Sequence, residues 1–270
     1  MTLIFGKVIY AKSVGKMKKA MSNKFHIFTK GRKYISPTQA DMLVGTSGCP
    51  AKWAFRYEQK IRPGRIPLAM LRGKYFDWLC GGGGRWRPTT RLDGLKVIEQ
   101  RYMEYRPLLP AGTSQVAIEI DLEHRGWFVR GFIDLLPTDP DKPFVEMKLP
   151  ASPWKRRKIA YNRMQIITYA QATGRPGEFH VSNMAEPGVQ IFKEKDYLPR
   201  GKDQSQSWAA VRKDYIKAIK LIESDDRAPR PNVLCKGENE YSTWQCDYYD
   251  LCQAEIKAKE MRINDLSKVF

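Results

Sequence analysis

Apolar and polar positions are patterned most sharply between Trp127 and Leu149, WFVRGFIDLLPTDPDKPFVEMKL. Two β-rich runs flank Pro137, Asp139, Pro140, Asp141 and Pro143, so the stretch predicts a hairpin. Asp134 interrupts the first strand, and Glu146 and Lys148 interrupt the second. Period-two alternation places Glu146 and Lys148 on one face and Val145, Met147 and Leu149 on the other. Pairing Leu136 with Phe144 sets Asp134 opposite Glu146. Directly opposed Cβ atoms are roughly 4.5–5.5 Å apart, and two carboxylates at that distance repel unless a cation lies between them. A divalent metal meets that need; a solvated hairpin edge with an ordinary charge pair is the plain alternative.

The remaining periodicities surround this hairpin. Gln115–Leu122, QVAIEIDL, alternates and turns at Glu123-His124-Arg125-Gly126, which makes a meander of three strands. Glu119 and Asp121 share a face there, either beside the metal or simply exposed. Ser36-Pro37-Thr38-Gln39 is a helix start, with a serine cap, proline at the first helical position and glutamine where a capping box places it. That helix ends by Gly45, and a second runs from Cys49-Pro50 through Trp53, Phe55 and Tyr57 toward Gln59. After the hairpin a helix extends from about Trp154 to Thr173, stopped by Gly174 and Pro176. Tyr161, Gln165 and Tyr169 share one of its faces. Aromatic residues at that spacing are ordinary core, but a buried glutamine needs partners, which an adjacent hairpin would supply. Short strands follow at Glu178–Val181 and Val189–Phe192. Trp208, Val211, Tyr215, Ile219 and Ile222 then form the apolar stripe of an amphipathic helix.

Composition narrows the class. With 270 residues and 42% hydrophobic content the chain can bury one large core, expected over residues 35–270. Residues 1–34 hold nine Lys and Arg and no Asp or Glu, which reads as a basic arm that grips phosphates, a tail, or a translation start placed upstream of Met17 or Met21. The net charge of +18 calls for a polyanionic partner, above all nucleic acid, with a membrane surface or an acidic protein as alternatives. No apolar run reaches the roughly 18–20 residues that span a bilayer, and no signal peptide opens the chain, so a cytoplasmic protein without a membrane is expected. Five cysteines do not make a disulfide scaffold in a chain of this length, and clustered thiols in a reducing compartment bind metal. His26, His124 and His180 are the only histidines and form no H-E-x-x-H. Gly81–Gly84 is a loop without the Gly-Lys-Ser/Thr of a nucleotide site.

Gly131-Phe132-Ile133-Asp134, then Glu146-Met147-Lys148, then Gln165 and Tyr169 resemble, in order and spacing, the PD-(D/E)XK nuclease superfamily. The Gln-x-x-x-Tyr pair is similar to that of its RecB-like branch, which includes the CRISPR-associated iron–sulfur exonucleases. The resemblance covers about Ser36 to Cys252. It implies an α/β (α+β) fold with a restriction-endonuclease-like mixed central sheet flanked by helices. The catalytic set it implies is Asp134, Glu146, Lys148, Gln165 and Tyr169. The Mg²⁺ or Mn²⁺ ligands would be Asp77, Asp134, Glu146 and the Met147 carbonyl. Asp77 stands where the family has a histidine four residues after Gly73. A hard cation accepts a carboxylate there, and a helix-surface acid is the alternative.

The resemblance further implies a 4Fe–4S cluster on Cys49, Cys235, Cys246 and Cys252, closing the domain between its two ends, with Zn²⁺ on the same ligands as the alternative. Thr243 occupies the family's Cys-x-x-Cys partner position, so Cys235 would reach in across a longer loop. A thiol at a helix N-terminus suits Cys49 to metal, although a small buried residue would also fit there. Cys80 reads as buried. Lys155, Arg156, Arg157 and Lys158 sit where a helix leaving the active strand meets phosphates. Trp53, Tyr57, Trp154 and Tyr161 are candidates for base stacking or for core. The implied activity is a metal-dependent deoxyribonuclease, an exonuclease on single-stranded DNA ends in recombination, repair or phage DNA metabolism. It would act in a prokaryotic or phage-infected cell with a helicase or recombination partner. Two alternatives are a non-catalytic DNA-binding accessory protein with a degenerate site and a basic protein that binds acidic proteins.

Overall fold

The computed structural model describes residues 28–29, 32–45, 48–61, 68–82, 94–224, 236–239 and 242–245 together with Cys252. Of these, 28–29, 82, 156–158, 160–161, 236–239 and 242–245 are described by backbone alone. In chain order the elements are β1 (Phe28–Thr29), β2 (Arg32–Ile35), α1 (Pro37–Val44) and α2 (Pro50–Trp53), which runs on as a π turn over Ala54–Glu58. Next come α3 (Leu68–Asp77), α4 (Leu95–Tyr105), β3 (Gly112–His124), β4 (Trp127–Pro137), β5 (Phe144–Lys148) and α5 (Arg156–Thr173). The rest are β6 (Gly177–Ser182), β7 (Val189–Phe192), α6 (Glu194–Tyr197), α7 (Gln204–Glu223), β8 (Lys236–Asn239) and β9 (Ser242–Gln245).

Contacts divide the chain into two compact units, Met1–Pro37 with Ile66–Tyr215, and Thr38–Arg65 with Ile216–Phe270. The first holds a mixed sheet flanked by helices, with strand order β1-β2-β4-β5-β6-β7 and β3 also paired to β4. β3 and β4 are antiparallel over nearly their whole length and join through Arg125 and Gly126, whose φ angles of 48° and 71° give the doubly left-handed turn that matches strand twist. The three-strand meander read from the sequence is therefore present, with β3 starting at Gly112. Val129 pairs with both Ile120 and Ile35, and Leu135 with both Ser114 and Val145, so β2 and β5 take opposite ends of the same edge of β4. The expected basic stretch thus ends in sheet, with β2 parallel to β4. Residues 1–27 of that stretch lie outside the described residues.

From β5 the chain crosses through α5 to the parallel strand β6. Ile159, Ile166 and Ile167 on α5 are 0–1% exposed. Burying each contributes roughly 1.5–3 kcal/mol, enough to hold a helix whose N-terminus is unfavourably basic. α5 stops where expected, at Gly174 in the left-handed conformation (φ 67°). Val145, Met147 and Leu149 share a cluster with Tyr75, Phe76, Ile98 and Tyr105 of α3 and α4. That is the face assigned to them by alternation. α4 itself was not foreseen. His180 on β6 is structural, with Nδ1 2.9 Å from the Tyr105 hydroxyl and Nε2 3.0 Å from Glu178 Oε2. Burial pushes its pKa down, against the pull of Glu178. On α7 the predicted stripe is borne out, with Val211, Tyr215 and Ile219 at 4%, 0% and 0% exposure.

In the second unit Cys49 caps α2 in an extended conformation and Pro50 follows at its first position. Cys49, Ala51 and Phe55 pack together with Ile61 and Cys252.

Candidate active site

Between Val129, where pairing with β2 ends, and Leu135, the single partner of β5, the edge of β4 meets no described strand. The Leu135–Val145 register continues, one residue back and one forward, to Asp134 opposite Glu146, as the sequence predicts. Here side chains replace the ladder. The Met147 N–H donates to Asp134 Oδ2 at 2.8 Å, and the Asp134 N–H donates to Glu146 Oε1 at 3.4 Å. Each acid therefore binds the other's strand.

Lys148 is the cation of the group, its Nζ 3.2 Å from Glu146 Oε2 and 4.0 Å from Asp134 Oδ2. From α5, Gln165 Nε2 donates to the same Glu146 oxygen at 2.7 Å and to the Tyr169 hydroxyl at 3.4 Å. That hydroxyl accepts the Phe132 N–H at 3.3 Å. The partners required of a half-buried Gln165 are thus the hairpin acid and the neighbouring tyrosine one turn on. Tyr169 comes so close to β4 that a Cβ on Gly131 would lie 2.6 Å from its ring and hydroxyl. Gly131→Ala is expected to lower stability by about 1–3 kcal/mol, the usual range for overpacking, because backbone or Tyr169 must shift. Urea denaturation checks it, and a midpoint equal to wild type would refute the close approach.

A residue not singled out from the sequence joins Asp77 to this group. Gln115 Nε2 donates to Asp77 Oδ1 at 3.1 Å and to Asp134 Oδ1 at 3.4 Å. It does so with φ at 54° in the middle of β3, a conformation that costs a non-glycine residue of order 1 kcal/mol or more. Its only sequence signal is a polar amide at the start of the alternating run, since the acids it bonds lie 38 and 19 residues away. Glu119, by contrast, turns away from the site to Arg32 and Arg130, at 2.8 and 3.1 Å.

Burial sets the electrostatics. Glu146 is 0% exposed, and desolvation, then the charge of Asp134, pushes its carboxyl well above the ordinary range, against the pull of Lys148. Asp77 is pushed up to about 6 by burial and then by Asp134, opposed by Lys148 and the Gln115 hydrogen bond. For Lys148, burial disfavours the charge, but Glu146 and Asp134 outweigh it and raise the pKa, so the ammonium is retained. Burial, then Glu146, raises Tyr169, which stays a phenol.

Among the described residues no three Asp, Glu, His or Cys side chains lie together so that they could hold a metal ion. Mg²⁺ does not require three, since it keeps several waters and takes one or two carboxylates with substrate phosphate. Asp134 and Glu146, repelling one another beside the Met147 backbone, are a pair of carboxylates that could hold such an ion, while Asp77 is joined to them through Gln115.

Lys155 is exposed just before α5; Arg156, Arg157 and Lys158 form its first turn, and their side chains lie outside the described residues, as does that of Tyr161. Trp53 is core, at 1% exposure, and Trp154 packs edge-on to Phe179. Cys80 is buried among the α3 and α4 aromatics, which raises its thiol pKa. Of the cysteine quartet, Cys252 packs against the small cluster that holds Cys49, while Cys235 and Cys246 lie outside the described residues. No described helix is long and apolar enough to cross a membrane.

No protein-family model matches the chain, and no curated protein matches it. Among solved structures, SSO0001 is 15% identical with a TM-score of 0.47, covering 87% of this chain and 91% of its own. A protein from Eubacterium rectale, provisionally named an exonuclease, aligns at 17% identity and a TM-score of 0.56 over 82% of this chain and 87% of its own. At that identity the likeness is one of fold alone.

Proposed function

We propose that the protein is a divalent-metal-dependent deoxyribonuclease of the PD-(D/E)XK superfamily, RecB-like branch, which trims single-stranded DNA from its ends. The observation that carries this reading is the convergence of Asp134, Glu146 and Lys148 at the place where the β4 edge opens. A bound Mg²⁺ or Mn²⁺ lowers the pKa of a coordinated water and neutralises charge on the scissile phosphate. Asp134, Glu146 and the Met147 carbonyl would hold the cation, with Asp77, which accepts a hydrogen bond from Gln115, as a further ligand. The Lys148 ammonium, kept charged by its acidic neighbours, orients the attacking water and stabilises negative charge developing on phosphate. Gln165 fixes the Glu146 carboxylate, and Tyr169 fixes Gln165 and the β4 backbone, so both align the nucleotide through the acid.

Three consecutive cations in the first turn of α5 oppose the helix dipole, which favours a role in phosphate binding over one in helix stability. In the second unit, Cys49 and Cys252 would hold a 4Fe–4S cluster with Cys235 and Cys246, or zinc in its place; the packing of Cys252 against the Cys49 cluster, far away along the chain, supports this. The setting is intracellular DNA recombination, repair or phage DNA metabolism, alongside a helicase or recombinase.

Anaerobically purified protein and Glu146→Ala, each given Mn²⁺ or Mg²⁺ with end-labelled linear and circular single strands, test the reading. Loss of linear cleavage in the variant is expected, with the circle resistant. DNA binding without cleavage by the wild type would replace the nuclease with a non-catalytic DNA-binding protein.

A further inference from the structure

Every second residue of β4 from Phe128 to Leu136 is half-buried, and within that series Phe128, Arg130 and Phe132 lead to the proposed catalytic acid, Asp134. At about 3.3 Å per residue the run from Phe128 to Asp134 is about 20 Å long. Its neighbours continue the same chemistry. Tyr34 on β2 pairs with Phe128, ring centroids 5.9 Å apart. The Arg130 guanidinium lies 4.1 Å over Tyr34, and that of Arg32 lies 5.0 Å over Phe128. Glu119 on β3, the register partner of Arg130 on β4, bonds both arginines and so helps hold them over the rings. Arg32 and Arg130 are 49% and 38% exposed. The partner of Phe132 is Ala117, a single methyl.

A purely structural ion-pair network has no need of aromatic rings in a row. Partly accessible rings interleaved with two exposed arginines match what unpaired bases and their phosphates require. We propose that this strip is a binding track for single-stranded nucleic acid, with Phe128 and Phe132 as stacking platforms and Arg32 and Arg130 as phosphate contacts, feeding the strand along β4 to Asp134. The inference rests on the nuclease reading and adds to it the residues that hold the single strand and the route by which it arrives. An acidic protein would gain from the arginines alone, whereas a duplex, whose bases are already stacked, would leave the rings unused.

The test is fluorescence anisotropy of labelled oligo(dT) of about 12 nucleotides with the full-length protein in EDTA, where cleavage cannot intrude. Phe132→Ala is expected to weaken binding by about 5- to 100-fold, as loss of one stacked base would. Phe132→Leu, which keeps most of the packing volume, is expected to show the same loss with an unchanged circular dichroism spectrum. Arg130→Ala is expected to flatten the dependence of log affinity on log salt by about 0.7, one phosphate contact. A blunt duplex of equal length should change by less than about twofold in the Phe132 variants, because its bases have no free face. Unchanged oligo(dT) affinity, equal weakening for duplex, or failure of the wild type to bind any strand overturns the track. Metal-dependent cleavage by wild type and its loss in Glu146→Ala are read separately, so a track that binds without cleavage removes the nuclease reading alone, and cleavage with unmoved affinity removes the track alone.

Discussion

Asp134→Asn is expected to reduce divalent-dependent cleavage of single-stranded DNA by about a thousandfold or more, the scale on which removal of one charge-stabilising group acts. The substitution is nearly isosteric, and the asparagine carbonyl can still accept the Met147 N–H that Asp134 Oδ2 accepts at 2.8 Å. The strand junction therefore survives while a metal-holding charge is lost. Lys148→Met should be as damaging for a different reason. It removes the cation 3.2 Å from Glu146, and that carboxyl, already pushed up by burial and Asp134, then keeps its proton at still higher pH. Both variants should retain their circular dichroism spectra and much of their oligonucleotide affinity, because neither Asp134 nor Lys148 belongs to the proposed arginine–aromatic track. Single-turnover cleavage of an end-labelled strand measures the effect. Wild-type rates in either variant, freed of contaminating nuclease, would remove the site assignment.

The parts of this site legible in the sequence are those fixed by local periodicity. Alternation and the Pro/Asp turn sufficed to pair Asp134 with Glu146, and the i, i+4 repeat of α5 placed Gln165 and Tyr169 on one face. Features that depend on distant segments were not legible. β2 reads as four residues with two charges, and only its parallel pairing with β4 makes Arg32 and Tyr34 neighbours of Phe128. Glu119 stood out as an acid on the correct strand, yet the arginines of β2 and β4 claim it. Gln115 is harder still. A left-handed backbone usually announces itself as glycine or asparagine, and here an amide long enough to reach Asp77 and Asp134 occupies the strained position instead. Gly131 carries no strain signal, and its requirement is visible only once the Tyr169 ring stands over it.

Strain and buried acid together give the metal-free protein a characteristic pH response. Asp77 ionises at about 6 in the folded chain, raised first by burial and then by Asp134, against an ordinary value of 3.8. A carboxyl with a raised folded value binds more protons folded than unfolded, so its contribution is complete below pH 4 and is lost as pH climbs to about 6. At roughly 1.4 kcal/mol per pH unit the loss is of order 3 kcal/mol at most, and Glu146, raised for the same first cause, loses stability in the same direction. A divalent cation requires the deprotonated acids, so its binding releases protons and strengthens over the range in which the metal-free fold weakens. Saturating Mn²⁺ is expected to raise the unfolding free energy by about 3 kcal/mol at a hundred times its dissociation constant. In thermal melts the gain at pH 7.5 should clearly exceed that at pH 5. Asp134→Asn removes the charge that helps lift both neighbours, so without metal it should melt above wild type at pH 7.5 and should gain nothing from Mn²⁺. A variant that melts lower there, or still responds to Mn²⁺, would show that repulsion between these acids is not what a cation relieves.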